Sequence, residues 1–184
     1  MDREKDHFYG FGEKTGHLDK KFRRLRMNPK DAIGTDAEIG DPMYKHIPFY
    51  IRVGEDRLHA VGLFYNNSYD CVFDLGQELS GYWERYCYYQ TDGGDLDLFL
   101  INGPAVKDVI SRYTMLTGTT ILPTKQSLGY CASTMYYAEL EKDCDKEIYN
   151  VIDKHLKEDI YIDNFWLASG YTSGEGDNLR YTFN

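Results

Sequence analysis

No apolar run in the sequence approaches the ~20 residues that a bilayer-spanning helix requires, so no membrane partner is expected. Positive charge is in short supply. The 21 Lys and Arg are outnumbered by 30 Asp and Glu, and the net charge of -9 argues against nucleic acid as a partner, because an acidic surface repels polyphosphate. Cysteine is sparse and scattered. Cys71, Cys87, Cys131 and Cys144 have neither the spacing of a zinc site nor the density of a disulfide scaffold, and they read as reduced thiols in a cytoplasmic protein. The opening MDREKDHFYG lacks the basic and then apolar pattern of a secretory signal.

What is there is ordinary in bulk and unusual in one respect. The hydrophobic fraction of 42% and charged fraction of 28% are those of a globular protein. The 17 tyrosines are the unusual number. A tyrosine joins a broad apolar face to one hydroxyl, which suits ligands such as sugars, although it is also a good strand residue. One basic cluster, KKFRRLR at 20–26, reads as a solvated strand or loop with Phe22 and Leu25 turned inward rather than as a polyanion patch.

The chain changes character near LPTKQSLGYCASTMYY, 122–137. Before it, FYGFGEK at 8–14 reads as a bulged or tightly turned strand end, since its G-x-G lacks the strand–helix context of a phosphate loop. Residues 27–41 are rich in Asn, Pro, Gly and Asp and read as a long surface loop carrying Asp31, Asp36, Glu38 and Asp41. Strands are expected at 47–53, 58–65, 71–75, 82–90 and 96–101, separated by turn residues, which is the pattern of an antiparallel sandwich. Asn66-Asn67-Ser68 matches a glycosylation sequon and reads as a turn. A helix should follow Pro104 and stop at Gly118. Pro123 marks the seam. Beyond it the spacing predicts a strand at 128–137, a helix at 139–158 with its apolar stripe on Leu140, Cys144, Ile148, Val151, Ile152 and Leu156, and a strand at 160–167 covered on both faces. Strand, helix, strand in this order is a right-handed parallel unit. A (β/α)8 barrel takes about 250 residues, so this stretch reads as the beginning of a truncated one.

Five segments, FYGFGEKTG, RRLRMNPKDA, DPMYKHIPFYI, NGPAVKDVISRYTMLTG and LPTKQSLGY, together resemble glycoside hydrolase family 31, the α-glucosidase and α-xylosidase family. The resemblance runs from Phe8 to the end of the chain. It implies an α+β, multi-domain fold: part of a galactose-mutarotase-like β-sandwich over 1–118, a linker over 119–126, and the first strands of a catalytic (β/α)8 barrel over 127–184. It implies a retaining exo-α-glycosidase acting on oligosaccharides or glycans, with no cofactor and no metal. Such chemistry needs two carboxyl groups about 5–5.5 Å apart. The family's two aspartates fall beyond Asn184, so the chain is expected to be clipped at both ends, to hold no catalytic dyad, and to be inactive, unstable or homo-oligomeric alone.

By the same resemblance Asp31 matches the aspartate that a long loop of the sandwich domain brings to the barrel mouth. The strand ends implied to line the pocket carry Met135 and Tyr137, then Ala168 and Ser169. α-Glucosidases tend to have Arg-Tyr-x-Tyr at the first and Asp-Ile-Asp at the second. Met135 and Ala168 therefore depart from the pattern and open apolar space, which could fit the N-acetyl group of an α-N-acetylgalactosaminide. A non-catalytic carbohydrate-binding or structural sandwich module is the rival class. His46 reads as a sandwich histidine satisfied by backbone, Glu13 with Lys14 as a surface pair, and Trp83 and Trp166 as core residues.

Overall fold

The computed structural model describes residues 5–55, 59–82, 84–138, 140 and 142–167, and it divides the chain into two compact units, Met1–Thr119 and Thr120–Asn184. The first unit is built from seven strands and a helix: β1 His7–Gly12, β2 Arg24–Met27, β3 His46–Val53, β4 Ala60–Tyr65, β5 Cys71–Ser80, β6 Glu84–Thr91, β7 Leu98–Asn102 and α1 Val106–Thr117. They form an antiparallel sheet in the order β1-β3-β4-β7 and a second one in the order β2-β5-β6.

Alternation along the strands decides which side chains meet, because successive residues point to opposite faces. Phe8, Tyr50 and Tyr65 from the larger sheet pack with Leu25, Met27, Cys71, Phe73 and Leu75 from the smaller one. Phe73 lies at the centre, with the rings of Phe11, Tyr50, Tyr65 and Tyr89 within 5.8 Å of its own. The opposite face of the larger sheet carries Ile51, Val53, Ala60 and Ile101, and α1 covers it through Val109. Tyr113 of α1 stacks on Phe49 with ring centroids 3.8 Å apart. The helix can come this close because β4 has Gly62 beneath it. A Cβ there would lie 2.6 Å from Val109 Cγ1.

Several sequence expectations hold in detail. The bulge foreseen in FYGFGEK is a register shift between Gly10 and Gly12, and Gly118 ends α1 with a positive φ of 94°. Other expectations are corrected. β5 runs on past Gly76 to Ser80, because the buried Asp74 carboxylate accepts the N–H groups of Gly76 and Gln77 at 2.9 and 2.8 Å and carries the backbone through the irregularity. In the basic cluster Leu25 is enclosed as expected, but Phe22 is partly exposed at a φ of 61°.

In the second unit, a single 3-10 turn at Lys125–Leu128 precedes β8, Cys131–Thr134. Then come a short helix α2, Met135–Ala138, the helix α3, Cys144–Lys157, and β9, Asn164–Leu167. β8 and β9 pair in parallel, with Thr134 level with Leu167. The strand expected at 128–137 is thus shorter. The Thr134 hydroxyl accepts the Tyr136 N–H at 3.2 Å and turns the chain into α2. The helix expected from 139 starts at Cys144, after Asp143 in a left-handed conformation at φ 58°, so Leu140 stands outside its apolar stripe. The last strand is four residues long, and Trp166, expected in a core, is 64% exposed. Trp83 lies outside the described residues.

Candidate functional site

The segment between β2 and β3, residues 28–45, is the long loop foreseen from its composition, and its four acids have separate jobs. Asp36 accepts the N–H groups of Glu38 and Ile39 at 2.7 and 3.3 Å and so folds the loop on itself. Glu38 offers its carbonyl to Arg23 at 3.2 Å. Asp41 lies at the root. One of its oxygens accepts the Arg26 N–H at 2.6 Å and the other pairs with Lys14 Nζ at 2.6 Å. Lys14 in turn donates to the Arg26 carbonyl. Both outward backbone groups of Arg26, on the edge strand β2, are therefore taken by side chains, and the Arg24 N–H is likewise taken by Gln77 Oε1 at 2.8 Å.

Lys14 is the clearest departure from expectation. Its side chain is 1% exposed and that of Asp41 is 10% exposed, so this is a buried ion pair rather than a surface one. Burial lowers the Lys14 pKa, and Asp41 opposes that shift. Glu13 is the partner of Lys45 instead, by paired bonds of 2.8 and 3.3 Å that close the root from the other side. Gly12 allows this approach. A Cβ there would sit 2.7 Å from the Lys45 carbonyl, and its φ is +78°. No local sequence signal marks Lys14 and Asp41 as partners, because they are 27 residues apart and neither sits on a periodic face.

Asp31, exposed on the first arm of the loop opposite Tyr44, accepts a hydrogen bond from Tyr44 Oη at 2.6 Å. That bond raises the Tyr44 pKa, since it favours the neutral phenol. Among the described residues nothing is bonded to the second carboxylate oxygen of Asp31, which leaves it able to accept a ligand hydroxyl. A cavity of about 370 Å³ lies at the loop's two ends, lined by Met27, Pro29, His46, Pro48, Tyr69 and Asp70 among others. Both ring nitrogens of His46 are shielded from solvent, and the backbone of Asn28 and Met43 acts on the ring, in keeping with the backbone-satisfied histidine expected, although neither contact has ordinary hydrogen-bond geometry. Burial, aided by the Lys14 charge, lowers its pKa and keeps the ring neutral.

The other candidates belong to the second unit. Met135 is half exposed and Tyr137 partly so, both on α2 rather than on a strand. Tyr136 meets Tyr137 edge-on at 5.0 Å. Ala168 and Ser169 lie outside the described residues. Among the described residues no group of three or more His, Cys, Asp or Glu is placed to hold a metal, and no helix is long and apolar enough to cross a membrane.

The two facing sheets with a long loop between β2 and β3 have a counterpart among known proteins. Residues 2–74 match the model of the glycosyl hydrolase 31 N-terminal galactose mutarotase-like domain. An α-glucosidase 2 from Bacillus thermoamyloliquefaciens is 34% identical over 171 residues, covering 93% of this chain and 20% of that protein. The α-xylosidase XylQ of Lactiplantibacillus pentosus is 30% identical over 162 residues, 85% of this chain and 20% of that one. A GH31 dextranase from Flavobacterium johnsoniae, solved with glucose, superposes with a TM-score of 0.76 at 26% identity, over 94% of this chain and 19% of its own. These matches define a mutarotase-like sandwich of a glycoside hydrolase. The chain belongs to glycoside hydrolase family 31, and it spans about a fifth of the length of the relatives it matches.

Proposed function

We propose that the chain is part of an α-glycosidase of the α-glucosidase or α-xylosidase type, in which the sandwich presents Asp31 to a terminal α-linked sugar. The observation that carries this reading is the likeness to an α-glucosidase along 93% of the chain, joined to a loop that carries an exposed carboxylate with one oxygen left to accept a ligand. The parallel β8–α3–β9 unit supports the second unit as the start of a (β/α)8 barrel, whose reacting groups would stand at the C-terminal ends of its strands. Met135 and Tyr137 follow one such end, and Ala168 and Ser169 follow the other in sequence. A retaining, exo-acting mechanism would draw its two carboxyl groups from outside these 184 residues. The sparse, scattered cysteines of the sequence support work in a reducing, cytoplasmic compartment.

The test is an assay of the full-length gene product against p-nitrophenyl α-glycosides. Turnover of the glucoside or xyloside is expected. Loss of one charge-assisted hydrogen bond, about 1.5–3 kcal/mol, predicts that Asp31→Ala raises KM by about ten- to a hundredfold. Turnover of the α-N-acetylgalactosaminide alone would replace the proposed substrate and make Met135 and Ala168 its determinants. Absence of turnover on all of them would favour a carbohydrate-binding module.

A further inference from the structure

We infer that Lys14 and Asp41 are positioning residues, a buried brace at the loop root that sets where Asp31 stands. This rests on the proposed role of Asp31 as a sugar contact. Lys14 and Asp41 close a three-membered network with both backbone groups of Arg26, so the loop's descending arm is fixed to β2 through charge rather than through strand pairing. Around that point the segment after β1 grips the same arm. Thr15 donates to the Gly40 carbonyl, and the Gly16 N–H reaches the Ala37 carbonyl at 3.0 Å. From the root the constraint reaches Asp31 by two links, the Lys30 N–H to the Met43 carbonyl at 3.1 Å and Tyr44 to Asp31 at 2.6 Å. Met43 and Tyr44 follow Asp41 by two and three residues, so displacing Asp41 displaces both. An unpaired buried charge is strongly unfavourable. Lys14→Met therefore drives Asp41 towards water and takes the arm with it.

The brace has two readouts. In the full-length gene product, Lys14→Met is expected to raise KM about tenfold with kcat within about twofold, because the chemical step is untouched and only binding common to ground and transition state is lost. In the 184-residue chain, amide hydrogen exchange at Gly16 and Lys30 should quicken about tenfold while Phe73 in the core stays protected. The Lys30 N–H is held by the Met43 carbonyl and not by Lys14, which bonds Arg26 and Asp41, so its response reports the loop and not the mutated site. Asp41→Asn keeps the side-chain volume and repeats both measurements should Lys14→Met fail to fold. A KM unchanged by either variant, where Asp31→Ala does raise it, overturns the brace. Should Asp31→Ala leave KM unchanged, the sugar-contact role falls, and the brace then stands or falls on Lys30 exchange alone.

Discussion

Cys71 begins β5 and faces the core between the sheets, where burial pushes its thiol up to about 11. Tyr50, Tyr65 and Tyr89 are pushed in the same direction by the same burial. In each case the folded state holds its proton more tightly than the unfolded chain does. The contribution of Cys71 is thus fully present below about pH 9 and is lost as pH rises towards about 11, while that of the tyrosines starts to fall only above about pH 10. Thermal melts taken at steps of pH are expected to be level near neutrality and to fall steadily above about pH 9. A flat alkaline limb would mean that these groups are solvated. Lys14 illustrates what a residue reading misses. Its neighbour Glu13 invites a local pairing, and only the folded loop shows that the partner is Asp41.

At the level of elements, the sheet and α1 share one narrow contact at Gly62. An added methyl would stand 2.6 Å from Val109 and 2.9 Å from the Phe49 ring. Gly62→Ala should cost about 2 kcal/mol by overpacking, read by urea denaturation, and Val109→Ala in the same chain should recover part of that loss. Equal losses for the single and double variants would show that α1 yields freely.

The strands at 47–53, 58–65, 71–75, 82–90 and 96–101 were legible because each is a run of strand-forming residues bounded by turn residues, and β3 and β4 bury side chains on both of their faces. Boundaries were missed where a side chain overrules the pattern: the Asp74 carboxylate prolongs β5, and the Thr134 hydroxyl cuts β8 short. The long loop was visible in its composition, and Asp31 in a family motif. The root that holds it was invisible, since its bonds join residues 12 to 27 positions apart.

Across the whole chain the two units differ in what they enclose. The sandwich has Phe11, Leu25, Phe73 and Val109 fully buried, whereas none of the described residues of the second unit is buried. There Leu122 is 90% exposed, and Leu128, Tyr149 and Tyr161 are open as well. Apolar surface of that extent marks a contact site or an aggregation liability. The isolated chain is expected to bind a hydrophobic dye and to self-associate in sedimentation. A version ending at Thr119 should lose both properties and keep the cooperative melt. Dye binding that survives the deletion would locate the sticky surface on the sandwich instead.

Because side chains of Lys14, Asp41 and Gln77 occupy both outward backbone groups of Arg26 and the N–H of Arg24, the three-stranded sheet is obstructed to newcomers along β2. Growth of a ribbon needs a free margin at each side, and on the β2 side this sheet does not offer one. Two molecules meeting through β6 would satisfy each other about a twofold axis and leave no margin for a third, so that association by this route ends at a pair and never lengthens into a fibre.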